Sequence, residues 1–176
     1  SARHRSKILR GRSFAVSLIC ELAADMICRE IGLPSPSVLL NAAGKFTIIA
    51  PNTDAARQAV CRAEKDINQW LVKKTFGESS FGIAMIDAKP ADFEAGRFLD
   101  TYERLSDKMT RRKFRKFDPA VDTGVMEGFL DSFDNTLNPP ICPYCGKRPS
   151  SKRADALKKD FMDKSLCAIC WDHIFL

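Results

Sequence analysis

Two matched cysteine pairs, Cys142-Pro143-Tyr144-Cys145 and Cys167-Ala168-Ile169-Cys170, carry the most specific chemistry in the chain. A C-x2-C pair sits on a tight turn that aims two thiolates at one point. Two such pairs supply the four soft ligands of a closed tetrahedral zinc site. The 21 residues between the pairs slightly exceed the usual ribbon spacing, so the intervening segment is expected to form a small excursion of its own. A thioredoxin-type redox reading needs a C-x-x-C at a strand-to-helix turn within a βαβ unit, and neither pair has that context. His173, three residues after the last cysteine, could replace one ligand, but four thiolates already saturate the metal and make it a bystander. A closed site of this kind holds a fold together and does no catalysis.

The second chemical signal is clustered positive charge. Arg3, Arg5, Lys7, Arg10 and Arg12 fall in the first twelve residues without one acid, and Arg111-Arg112-Lys113-Phe114-Arg115-Lys116 forms a second cluster. Together they exceed the whole net charge of +6, so the rest of the chain is mildly acidic. Such clusters suit phosphate contacts, whose strength comes from counterion release. Phe114 and Phe117 could stack on bases beside Arg111, Arg112, Lys113 and Arg115, or simply anchor a helix end. Arg10 and Arg12, expected at the entry to the first helix, are candidates for phosphate contacts assisted by the helix dipole. The alternative for both is exposed charge at a chain terminus.

The elements that position these groups follow from periodicity. The 176 residues suffice for one full domain and a small satellite. Ser13–Ile31 has Phe14, Leu18, Leu22, Met26 and Ile27 at helical steps, with Ser13 as a cap and Gly32 and Pro34 as a stop. Ser37–Leu40 and Phe46–Ala50 are short apolar, β-branched runs around Asn41-Ala42-Ala43-Gly44-Lys45, a hairpin pattern. Asn52 or Thr53 then caps a helix reaching about Lys74, and Ser80–Ile86 is a third strand. A helix from about Phe93 runs into the basic cluster, and Asp118–Pro140, rich in Asp, Asn, Gly and Pro, is a linker. The resulting boundaries are 1–117, 118–140 and 141–176.

No apolar run approaches the roughly 18 residues of a membrane span, and there is no signal-peptide pattern. Seven cysteines, with Cys20, Cys28 and Cys61 expected as small core hydrophobes, point to a reducing compartment and a cytoplasmic location.

The order helix, strand, strand, helix, strand, helix is an α+β arrangement, a ferredoxin-like βαββαβ unit whose first strand is missing from this chain. That strand is expected upstream, with a stub at Ile8–Leu9 or donation by another copy as weaker possibilities. Polymerase-type palms and nucleotidyl cyclases use this unit for two-metal chemistry, with carboxylates on the first strand and at the hairpin turn. The hairpin Asn41–Lys45 has no acid, so no catalytic residue is expected in this chain. Its small residues let a ligand approach the backbone and Lys45 offers charge for phosphate. A plain turn with an exposed lysine is the competing reading.

Lys7-Ile8-Leu9-Arg10-Gly11-Arg12-Ser13-Phe14, then Asn41-Ala42-Ala43-Gly44-Lys45-Phe46, then Ala50-Pro51-Asn52-Thr53, in this order and followed by the cysteine pairs, resembles one family. It is the large polymerase-like subunit of type III-A (Csm-type) CRISPR effector complexes, in its first palm domain and zinc module. The resemblance covers nearly the whole chain. It implies an intact subunit with an HD nuclease domain acting on single-stranded DNA, two palms with a zinc-bearing insertion between them, and a helical tail. It also implies ATP with Mg2+ joined into cyclic oligoadenylates by a Gly-Gly-Asp-Asp hairpin on the second palm once target RNA is bound. The first palm would help form the composite ATP pocket through Asn41, Ala42, Ala43, Gly44 and Lys45. Relatives often carry glycines where this chain has Ala42-Ala43. Implied partners are the second palm, other subunits of the ribonucleoprotein, and guide and target RNA, with no membrane. No His-Asp pair, Gly-Gly-Asp-Asp or acidic first strand occurs here. An independent zinc-ribbon nucleic-acid-binding protein is the alternative. A self-contained cyclase is excluded by the acid-free hairpin.

Overall fold

The computed structural model describes residues 2–75, 77–115, 140–150 and 166–175. In chain order these form α1 (Ala2–Ile31), a 3-10 turn at Ser35–Ser37, strands β1 (Val38–Ala42) and β2 (Lys45–Ile48), and α2 (Asp54–Thr75). A 3-10 turn at Pro90–Phe93, α3 (Phe98–Lys113) and a short α4 (Ala168–Phe175) follow. The class is a small α+β fold, and among the described residues its sheet is the β1–β2 pair. The chain divides into two compact units that interleave along the sequence. One comprises Ser1–Ala24, Val38–Thr47 and Glu127–Leu176, the other Asp25–Ser37 and Ile48–Met126. Most of the expected linker, with Lys116 and Phe117, lies outside the described residues.

Helix α1 begins eleven residues before the expected start at Ser13. Residues 2–12 contain no proline and several good helix formers, so nothing stops the helix there. Ser13 is therefore interior, its carbonyl accepting the Ser17 hydroxyl at 3.2 Å, and Ile8–Leu9 is helical, not a strand stub. The end is as expected. Gly32 adopts φ +79, its N–H bonds the Arg29 carbonyl at 3.1 Å, and Leu33 N–H bonds the Cys28 carbonyl at 2.7 Å. That pairing of bonds around a left-handed glycine is a Schellman stop.

The expected apolar stripe of α1 does not bury as a whole. Ile8, Cys20, Ala23, Ala24, Ile27 and Cys28 are buried, whereas Phe14, Leu18 and Leu22 are exposed. Apart from Ile8 and Ile27, the buried side chains are small, and Phe14, Leu18 and Leu22 face outward.

The hairpin is tighter than the five-residue turn expected from sequence. β1 and β2 leave two loop residues, Ala43 (φ 52) and Gly44 (φ 75), both left-handed. This backbone matches the right-handed twist of the flanking strands.

In the second unit Thr53 caps α2, its Oγ1 accepting the Ala56 N–H at 3.2 Å. The helix buries Ala56, Ala59, Val60, Ala63 and Leu71. Cys61 falls off that stripe and is exposed, correcting its expected core role. The expected strand Ser80–Ile86 is not part of a sheet among the described residues. Side chains take its backbone groups instead. The Asn68 amide brackets Phe81, accepting from its N–H and donating to its carbonyl, both at 2.8 Å. Glu64 Oε1 accepts the Ile83 N–H at 2.8 Å and Lys108 Nζ donates to the Met85 carbonyl at 2.6 Å. Phe81, Ile83 and Met85 alternate, so these bonds satisfy one edge of an extended chain. The helix expected from Phe93 is likewise interrupted, because Gly96 at φ +87 breaks the run before α3.

Candidate functional site: a four-thiol centre and a cleft in the same unit

The first cysteine pair is shaped by backbone. Ile141 and Pro149 form an antiparallel bridge, Cys142 N–H bonds the Arg148 carbonyl at 2.8 Å, and Gly146 N–H bonds the Cys142 carbonyl at 2.9 Å. The chain thus wraps around Cys142 and turns at Gly146, whose φ is +66. The second pair sits at the start of α4. Cys170 N–H points at Cys167 Sγ (3.4 Å) and Trp171 N–H bonds the Cys167 carbonyl (3.0 Å). All four sulfurs lie within 4.8 Å of one another, and Cys145 Sγ is 3.9 Å from Cys167 Sγ. A tetrahedron with metal–sulfur bonds of about 2.3 Å places its sulfurs about 3.8 Å apart, so the donor set fits zinc. Leu166 and Trp171 are buried with Cys142, Cys167 and Cys170, and Cys145 packs partly buried against them.

The protonation pattern suits a cation. Hydrogen bonds from the Cys167 and Cys170 thiols hold Cys142 far below the ordinary thiol range. Bonding to Cys142 pushes Cys167 up to about 11, and Cys170 is pushed up for the same reason. One thiolate therefore keeps its neighbours protonated, and four thiolates can coexist only around a dication. His173 is outside the tetrad, one turn further along α4. Burial first, then the Arg12 and Arg148 charges, lowers its pKa, so it is neutral at pH 7.

The cleft has a volume of about 420 Å3 and is lined by Arg12, Ser13, Val16 and Ser17 of α1 and by Ala43 and Gly44 of the hairpin. It has no carboxylate among these residues. Gly44 is required twice over: its φ is +75, and a Cβ there would meet Val16 Cγ1 at 3.0 Å.

Of the residues proposed from sequence, the structure brings Arg12, Ala43 and Gly44 together. Asn41, Ala42 and Lys45 are exposed and do not line the cleft, and Arg10 reaches Ser6 Oγ at 3.4 Å. Arg10 and Arg12 sit well inside α1, two to three turns from its N-terminus, where the helix dipole does not assist a phosphate contact. Ser13, Val16 and Ser17 were not proposed. Val16 four residues after Arg12, and Val16 and Ser17 three and four residues after Ser13, were the available signal, since that spacing puts them on one helix face. Arg111, Lys113 and Arg115 are exposed at the end of α3, whereas Arg112 is half-buried and paired with Glu64 at 2.8 Å.

The family model for Csm1 subunit domain B matches residues 1–127. The chain belongs to the Csm1 family. It is 26% identical over 145 residues to the Methanocaldococcus jannaschii CRISPR system single-strand-specific deoxyribonuclease Cas10/Csm1 (subtype III-A), covering 77% of this chain and 18% of that protein. The Thermococcus onnurineus Csm1 of the same description is 26% identical over 174 residues, covering 97% of this chain and 21% of that one. The chain therefore spans about a fifth of the length of these Csm1 relatives.

Solved Csm1 structures resemble it as well. A Csm1–Csm4 cassette in complex with cA4 aligns with a TM-score of 0.59 at 28% identity, covering 71% of this chain and 17% of that one. The same cassette with AMPPNP gives 0.59 at 28% identity, covering 74% and 18%. Csm1 from T. onnurineus gives 0.56 at 30% identity, covering 62% and 16%.

Proposed function

We propose that this chain is the non-catalytic palm and zinc module of a type III-A effector large subunit, with residues 1–117 as palm, 118–140 as linker and 141–176 as module. Its α1–hairpin cleft forms one wall of a composite ATP pocket used for cyclic oligoadenylate synthesis in antiviral defence. The observation that carries the reading is the cleft itself. Arg12 and Ser13 offer donors for phosphate, Gly44 admits close backbone approach, and no acid is present to hold Mg2+. A wall that binds phosphate but no metal needs a second, acidic wall to complete the chemistry. The Csm1–Csm4 cassettes in complex with cA4 and AMPPNP support a nucleotide as the ligand.

The same reading assigns the second palm and other effector subunits as partners, consistent with cassettes that pair Csm1 with Csm4. Guide or target RNA would meet the exposed Arg111, Lys113 and Arg115. The zinc is structural, the location cytoplasmic, and the single-stranded DNA nuclease activity named for the relatives belongs to other parts of the parent. ATP is titrated against this chain and against the intact subunit, each with and without Arg12→Ala. The expected result is weak binding by the chain, tighter binding by the subunit, and loss in both on removing Arg12. Tight binding by the chain alone contradicts a composite pocket.

A further inference from the structure

We propose that the four-cysteine centre is the strut that sets the helical wall of the cleft, and that Gly11 is the positioning residue through which it acts. Gly11 is buried, and a Cβ built there would lie 1.9 Å from the His173 carbonyl oxygen, 2.7 Å from its carbon and 2.8 Å from its Cα. All three atoms are backbone, so no rotamer change could relieve the clash. Helix α1 and helix α4 touch main chain to main chain at this point, and only glycine permits it.

Helix α4 has eight residues, too few to hold itself in water. What holds it is its first turn, where Cys167 and Cys170 supply half of the metal's ligands. The metal therefore anchors α4, and α4 backs α1 at Gly11. The next residues along α1, Arg12 and Ser13, open the cleft, with Val16 and Ser17 one turn beyond. The hairpin is the second stop, since Gly44 packs within 3.0 Å (as a built Cβ) of Val16. Helix α1 is thus fixed at two points in this unit, and zinc controls one of them. The consequence for ligand binding rests on the nucleotide reading above; the mechanical link between metal and helix does not.

The test is amide hydrogen exchange on the zinc-loaded full chain, read before and after chelation. Residues 9–17 should lose protection together with α4, while α2 keeps its own. Unchanged protection of 9–17 in the zinc-free chain overturns the strut. Cys170→Ser, which removes one thiol of the tetrad and leaves the sequence of α1 unchanged, should reproduce the loss, and full protection in that variant overturns it equally. Gly11→Ala should retain one zinc per chain by elemental analysis yet exchange faster at 9–17. It should also weaken ATP binding by roughly tenfold, the loss of one charge-assisted hydrogen bond. Unchanged exchange and unchanged ATP affinity in a zinc-loaded Gly11→Ala chain overturns the role of Gly11. If the zinc-loaded wild-type chain and the intact subunit bind no ATP, the nucleotide reading falls, and the exchange result still decides the strut.

Discussion

The two units of this chain solve the problem of a small core in different ways. One concentrates its cohesion in a single centre, where Cys142, Cys167, Cys170, Leu166 and Trp171 are buried together and Cys145 packs partly buried against them. The other combines the buried apolar face of α2 with polar side chains from α2 and α3 that hold an extended segment by its backbone. The first arrangement is all-or-none, because one cation would tie both cysteine-bearing segments together and its removal releases all four ligands at once. The second is graded, because each clamp satisfies one or two backbone groups and can fail by itself. A unit held by one centre can also transmit that centre's state to a nearby cleft; a unit held by many small clamps acts as scaffold.

The comparison is broken most directly at the metal. Cys142→Ser, or a strong chelator, should abolish zinc binding and remove protection from residues 140–150 and 166–175, because much of a small module's folding free energy is metal-binding free energy. The amides of α2 and α3 should stay protected. A zinc-free chain that loses both units at once would mean that they are not separately held. Acid should act on the same unit. Zinc uptake expels the protons that Cys167 and Cys170 hold, so the bound state carries fewer protons than the free one. Lowering the pH therefore weakens zinc affinity, and zinc binding should acidify an unbuffered solution. A pH-independent affinity would contradict the protonation pattern.

Glu64→Ala strikes the graded unit. It removes the acceptor of the Ile83 N–H and the partner of Arg112, both half-buried, and should destabilise by about 1–3 kcal/mol. Thermal melting should show the loss while zinc content stays at one per chain. Glu64→Gln keeps an acceptor for Ile83 and should cost less. Arg12→Ala leaves both cores intact and should weaken nucleotide binding by about tenfold, with an unchanged melting temperature. The smallest effect is expected at Ala43, held at φ 52. Ala43→Gly relieves a left-handed strain of about 1–2 kcal/mol but adds freedom to the unfolded chain, leaving a net gain under about 1 kcal/mol.

Several elements were legible because their causes are local. The hairpin follows from two apolar runs around a glycine-bearing turn, and the stop of α1 from Gly32. The extent of α1 was not, since a polar, acid-free start carries no periodic stripe and Ser13 imitates a cap. The burial of its small side chains in place of Phe14, Leu18 and Leu22 was hidden for a related reason: periodicity marks an apolar face without saying which neighbour covers it. Ser80–Ile86 has strand-like composition, but a strand exists only when another backbone takes its groups, and here Asn68 and Glu64 do.

By itself, the sequence singled out the four cysteines that the fold gathers within 4.8 Å, because two C-x2-C pairs at this spacing admit few other uses, and it showed that the hairpin turn carries no carboxylate. Only the tertiary structure decided what surrounds the cleft and what holds it. Gly44 lies some thirty residues from Arg12 and Ser13 in the chain, and Gly11 and His173 lie near opposite ends of it. Local residue types record chemistry that one segment can perform alone. A contact between two backbones distant in sequence leaves no trace in either segment except a glycine whose need is invisible until the second helix is in place.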